Sequence, residues 1–153
     1  MSMSMNTGSA GRGLLAGLIA TTVLSAIMVM KASMGLMPEL DPIAMIAAMS
    51  GGGTLVGWAG HFIIGTAFWG IGFAFISPYL PGPYGFRGVL FATAAWLMMM
   101  LVVLPMAGSG PFGLALGMMV PIATLMLHAG FGLVLGTVYS LLQRRTGALQ
   151  RAS

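Results

Sequence analysis

Cysteine is absent from all 153 residues. That excludes disulfides, zinc–thiolate sites and iron–sulfur clusters. Charge is scarce as well. Only 5% of the chain is Asp, Glu, Lys or Arg, against about 25% in a soluble domain. So few charges cannot cover a surface that faces water. Catalytic groups are just as sparse. The two acidic residues, Glu39 and Asp41, stand two apart in a proline-bounded stretch. There is no G-x-S-x-G elbow, no Walker loop and no H-E-x-x-H. The run GGGTLVG has no Lys or Arg beside it and so is not a phosphate cradle. The chain reads as non-enzymatic. Its net charge is +4, but the basic residues are scattered and form no patch suited to nucleic acid.

Apolar residues dominate instead. They make up 58% of the chain, and the mean hydropathy is +1.00. The lipid bilayer is therefore the expected solvent and first partner. An apolar helix needs roughly 17–25 residues to cross it. Four segments meet or approach this, at about 14–30, 55–76, 89–104 and 121–142, and none contains a charge. Between them lie breakers: Pro38, Pro42 and Gly51-Gly52-Gly53, then SPYLPGPYGFRG, then PMAGSGPFG. The runs lack the alternation of an outer-membrane strand. The first is longer than a signal-peptide core and reads as a retained helix. The expected fold is all-α, one integral membrane domain over residues 1–153. It is a four-helix transmembrane bundle of two tandem helical hairpins. Asp41 as N-cap and Pro42 at N1, with glycines after Ser50, predict a short interfacial helix at 42–50. PFGLALGMMV is its candidate counterpart in the last loop. The alternative there is that span four begins earlier and kinks at Pro121.

Basic residues set the expected direction. Arg12, Arg87, Arg144, Arg145 and Arg151 all fall on one side of an even number of spans. That side is the cytoplasm, with both termini there, and the membrane is the bacterial inner membrane. The opposite, outer side holds Lys31, Glu39 and Asp41.

The halves resemble each other. RGLLAGLIATTVLSAIMVM from Arg12 and RGVLFATAAWLMMMLVVLPM from Arg87 both open on Arg-Gly and grow rich in methionine. Each is followed by a helix in which a histidine precedes a glycine by four residues: His61 with Gly65, and His128 with Gly132. Two-span units repeat in parallel, about an axis along the membrane normal.

Thr54 lies seven residues before His61, and Pro121 seven before His128. At 1.5 Å per residue both imidazoles sit about 10 Å below the outer helix ends. Residues four apart share a face. Gly53, Gly57, His61 and Gly65 form one stripe; Thr124, His128, Gly132, Gly136 and Ser140 form a second; Gly13, Gly17, Thr21 and Ser25 form a third. Small-residue stripes are helix contacts, so each His should face a neighbouring helix, His61 meeting Ser25 or Thr21. Methionines beyond position 5 all fall in the outer half. Met100 matches Ser25 under the repeat and joins the histidines as a candidate metal ligand.

Three readings of the pair stay open. A neutral His can simply bond to a backbone carbonyl or hydroxyl across the bundle, in a membrane subunit or assembly factor that joins a larger complex or itself. His61 and His128 can hold a b-type haem, with Gly65 and Gly132 leaving room for the porphyrin, or copper through imidazole and thioether. A small transporter is the third. Aromatics suggest an interfacial belt at Tyr79, Tyr84, Phe86 and Tyr139, and Trp69 and Trp96 should find partners for their indole N–H groups.

The set G-W-x-x-H-F-I-I-G-T-x-x-W-G, W-L-M-M-M-x-V-V-x-P-M-A-G-S-G-x-F-G and L-H-x-x-x-G-x-x-L-G-x-x-Y covers Gly57 to Tyr139. It resembles a family of small four-span bacterial membrane proteins of unknown function. The resemblance implies a four-helix membrane protein with His61 and His128 as signature positions. It implies no reaction, ligand or partner.

Overall fold

A computed structural model describes residues 7–152; Met1, Met3 and Met5 lie outside the described residues. The chain runs through α1 (Thr7–Ser33), α2 (Pro42–Met49), α3 (Thr54–Tyr79), α4 (Tyr84–Met106) and α5 (Val120–Ala152). No strand occurs among the described residues. α1, α3, α4 and α5 are long and apolar enough to cross a membrane. The protein is an all-α, multi-pass membrane protein. Side chains such as Ile63, Phe68, Leu101 and Met126 stand exposed on the helix sides, as lipid contact demands. The four long helices begin earlier and end later than the apolar runs, because capping and interfacial residues extend them.

α2 forms where Asp41 and Pro42 place it. The Asp41 carboxylate accepts from the backbone N–H of Ile43 and Ala44, each at 3.0 Å. Pro42 follows at N1, and Gly51, at φ +68°, ends the helix. The last loop differs. PFGLAL winds as a 3₁₀ turn, Pro111–Leu116, rather than a second interfacial α-helix. Phe112 and Gly113 both take positive φ there, which breaks α-helical hydrogen bonding. α5 starts afresh at Val120 instead of kinking at Pro121.

Glycine sets the helix order. Along α1, Gly13 lies against the Gly70 carbonyl of α3, Gly17 against Gly65, Thr66 and Gly70, and Thr21 against Gly65. Gly88 of α4 meets the backbone of Gly132 and Gly136 on α5. Without a Cβ on either side, backbones approach closely, the main source of helix attraction in lipid. The result is an order α3–α1–α5–α4. α3 and α4 close on each other chiefly along Gly70–Ile76 and the Ser77–Tyr79 turn. Phe73, Phe91, Tyr139 and Leu135 fill the bundle there. Phe73 stands edge-on to Phe91 and to Tyr139, each pair with centroids 5.5 Å apart.

Two cations tie the connections. Lys31 Nζ donates to the carbonyls of Leu36, Met37 and Leu40 at 2.8–3.0 Å. All three ammonium protons are thereby used. Arg87 donates to Gly82 O and Ser77 O and lies 4.8 Å from the Tyr84 ring centroid. They lock opposite ends of the bundle.

Candidate functional site

Toward the α2 end, α3 leaves α4. A cavity of about 1090 Å³ opens between them, floored by α1 and α5. Its wall includes both histidines. Each arrives there by a different packing route. α1 presents Gly13, Gly17, Thr21 and Ser25 to α3, and at the top of that stripe Ser25 Oγ lies 3.1 Å from His61 Nε2. His61 also stands edge-on to Trp58, centroids 5.9 Å apart. On α5, His128 Nδ1 lies 2.8 Å from the Thr124 carbonyl one turn earlier.

These partners fix the tautomers. A carbonyl only accepts, so His128 Nδ1 carries the proton, and in the neutral ring Nε2 is left with a lone pair. Ser25 has one hydroxyl proton and gives it to Thr21 O at 2.8 Å. Its oxygen therefore accepts from His61 Nε2–H, and His61 Nδ1 is left with a lone pair. Neither His61 Nδ1 nor His128 Nε2 has a protein partner among the described residues. The site thus offers two acceptor nitrogens in a mostly apolar wall, whose rim also holds Lys31, Glu39 and Asp41.

The walls carry two further features. α3 is π-helical over Ile64–Trp69, and α4 over Met99–Val103. Ile64, Gly65, Phe68, Trp69, Met99 and Val103, drawn from both π segments, line the cavity. π turns are rare and concentrate at functional sites. Met28, Met45, Met49, Met98 and Met106 contribute thioethers to the same wall. The sequence flagged methionine enrichment here, but nothing in it marked the π turns or the aromatic pair Phe68–Trp69, whose rings meet at 4.8 Å.

Three expected site residues lie elsewhere or serve otherwise. Met100 is fully buried and is not part of the cavity wall; Met98 and Met99 take that place. Gly132 packs against Gly88 O and Ala92 of α4, away from the cavity. Gly65 does reach the wall, yet the space beside it is filled by Thr21. Both glycines serve helix contact, as their small-residue stripes predict. No group of three His, Asp or Glu side chains suited to a metal ion occurs among the described residues. Trp96 Nε1 donates to Thr124 Oγ1 at 3.0 Å, which gives its half-buried indole N–H a partner.

The family described as "Family of unknown function (DUF6789)" matches residues 7–150. No curated protein and no solved structure matches the chain. Since the match covers nearly its whole length, the chain belongs to that family.

Proposed function

We propose that this member of the DUF6789 family is a non-enzymatic subunit or assembly factor of the bacterial inner membrane that holds a small ligand between His61 and His128. Both termini lie in the cytoplasm and the α2 end faces outward. One observation carries the reading: two histidines from different helices stand in the wall of one cavity of about 1090 Å³. Ligand pockets usually span about 300–1,000 Å³ with mostly apolar walls and a few polar groups. The Arg-Gly pairs lend support to the duplication, because Gly13 and Gly88 each seat against a carbonyl of the next helix.

A b-type haem or a copper ion is the second reading, favoured by the two free lone-pair nitrogens. Each ring's other nitrogen is already hydrogen-bonded, as ligating histidines generally are. Copper would draw its thioether from Met98 or Met99 rather than Met100. Haem meets an obstacle: Lys31, a cation in the cavity wall, spends all its protons on carbonyls and has none for a propionate. Transport requires the Arg87 end to open, where Phe73 and Tyr139 are almost fully buried. That makes it the weakest of the three.

The test is native mass spectrometry of detergent-purified protein, with a visible spectrum and elemental analysis of the same sample. A non-covalent adduct lost in a His61→Phe/His128→Phe variant that stays folded is the expected result. A Soret band, or stoichiometric copper, would turn the reading to the second. Wild-type and variant protein equally free of adducts, with the same stability, would end the ligand reading. Co-purification with a larger complex tests the subunit role, and reporter fusions at each terminus test the topology.

A further inference from the structure

We infer that the cavity takes a lipid-soluble molecule with a hydroxyl head group, which enters sideways from the bilayer between α3 and α4. This rests on the proposed ligand site and names its chemistry.

Hydrogen bonding decides the head group. His61 Nδ1 and His128 Nε2 are both acceptors, because Ser25 and the Thr124 carbonyl have taken the ring protons. A ligand carbonyl or ether would meet lone pair with lone pair. A hydroxyl donates and is complementary. Among the mostly apolar side chains around the two rings, Leu24, Phe68, Trp69 and Leu127 included, that difference is less screened than in water.

Volume decides against a bare ion. A metal bound by two imidazoles and a thioether needs its ligands about 2–2.3 Å away, a space far smaller than about 1090 Å³. The same volume suits a molecule of drug or lipid size. Methionine along the wall, flexible and polarizable, adapts to an apolar body.

The route follows from packing. α3 and α4 make their contacts near the Arg87 end and separate above Trp69, whose ring meets Phe91 at 5.6 Å. Above that point Phe68 and Met98 line the cavity and are also exposed on the outside of the bundle. They form the jambs of an opening at the depth of the acyl chains. Both π turns lie at this opening, where looser backbone bonding lets each helix widen without unwinding. The Lys31-clamped loop and α2 cover the top.

The experiment is calorimetric titration of the full-length protein in detergent micelles with 4-octylphenol and its methyl ether, 4-octylanisole. The two share a body and differ in the donor. The phenol should bind three- to tenfold more tightly, as expected for one hydrogen bond in a membrane protein. In His61→Phe/His128→Phe the ratio should fall to about one while the ether still binds. Ser25→Ala keeps both rings but frees the His61 tautomer, and should lower the ratio partway. Equal binding of both probes to the wild type would overturn the hydroxyl assignment and leave the cavity site standing. Saturable binding of neither would overturn the site itself. Stoichiometric Cu(I) binding that displaces the phenol would replace the proposal with a metal site.

Discussion

Gly88→Ala should separate α4 from α5. A Cβ built at Gly88 falls against the Gly132 carbonyl oxygen, with the Gly132 carbonyl carbon at 2.8 Å and the Gly136 nitrogen at 3.0 Å. All three are backbone atoms, so no rotamer change relieves the clash. The helices must part by about 1.5 Å to restore ordinary contact, more than the gap of about 0.5–1 Å that already forfeits a quarter to a half of each affected contact. Among the described residues this is the tightest glycine contact, and it lies in the most extensive helix pairing. Overpacking of this kind costs about 1–3 kcal/mol, sometimes more, and the rigid neighbours place Gly88→Ala near the top, at about 3 kcal/mol. Gly130→Ala is the control. It lies on the same pair of helices, is exposed, and has nothing within 4 Å of the new methyl. Ala is the better helix former by about 1 kcal/mol, so that variant should be neutral or stabilised. Both are measured by reversible unfolding in mixed micelles, followed by circular dichroism. A Gly88→Ala protein within about 0.5 kcal/mol of wild type, or more stable than Gly130→Ala, would refute the claim that backbone contact at glycine sets the helix order.

Thr124→Val removes the acceptor of the Trp96 indole while keeping the Thr124 carbonyl that His128 uses. It should cost about 1–3 kcal/mol, the price of an unmet buried donor, and shift tryptophan emission without altering His128. Ser25→Ala should cost less, about 0.6 kcal/mol as is typical between membrane helices, measured in the same unfolding assay. Asp41→Ala should weaken α2 by about 0.5–2 kcal/mol, seen as faster amide exchange at Ile43 and Ala44 with the four long helices unchanged. Lys31→Met removes three hydrogen bonds to the first connection. It should raise proteolysis between Leu36 and Leu40, and an unchanged cleavage rate would show that the clamp is unimportant.

Local chemistry was readable where one residue dictates one bond. Asp41 and Pro42 start α2 at the expected residue because an N-cap acts through its own next two amides. The α1 stripe of Gly13, Gly17, Thr21 and Ser25 meets α3, and His61 finds Ser25, because residues four apart must share a face. Met100 went astray for a related reason. Adjacent residues on a helix differ by about 100° in direction, and a weak duplication cannot fix register that finely. So Met98 and Met99 reach the cavity while Met100 is fully buried. Gly132 fits either a helix contact or space beside a ligand in the sequence, because a glycine looks the same whether another backbone or a cofactor lies against it; the structure sets it against Gly88 and Ala92.

Composition and apolar run length alone determined that the chain is helical and suited to lipid, with four segments long enough to cross it. These follow from how many charges a surface needs and how many residues a bilayer demands. Which helices touch, and where they fail to touch, was decided by tertiary structure. The space between α3 and α4 arises where the two helices cease to touch and each turns π-helical, which no local pattern announces. A cavity has no residues of its own, so no stretch of sequence can spell it.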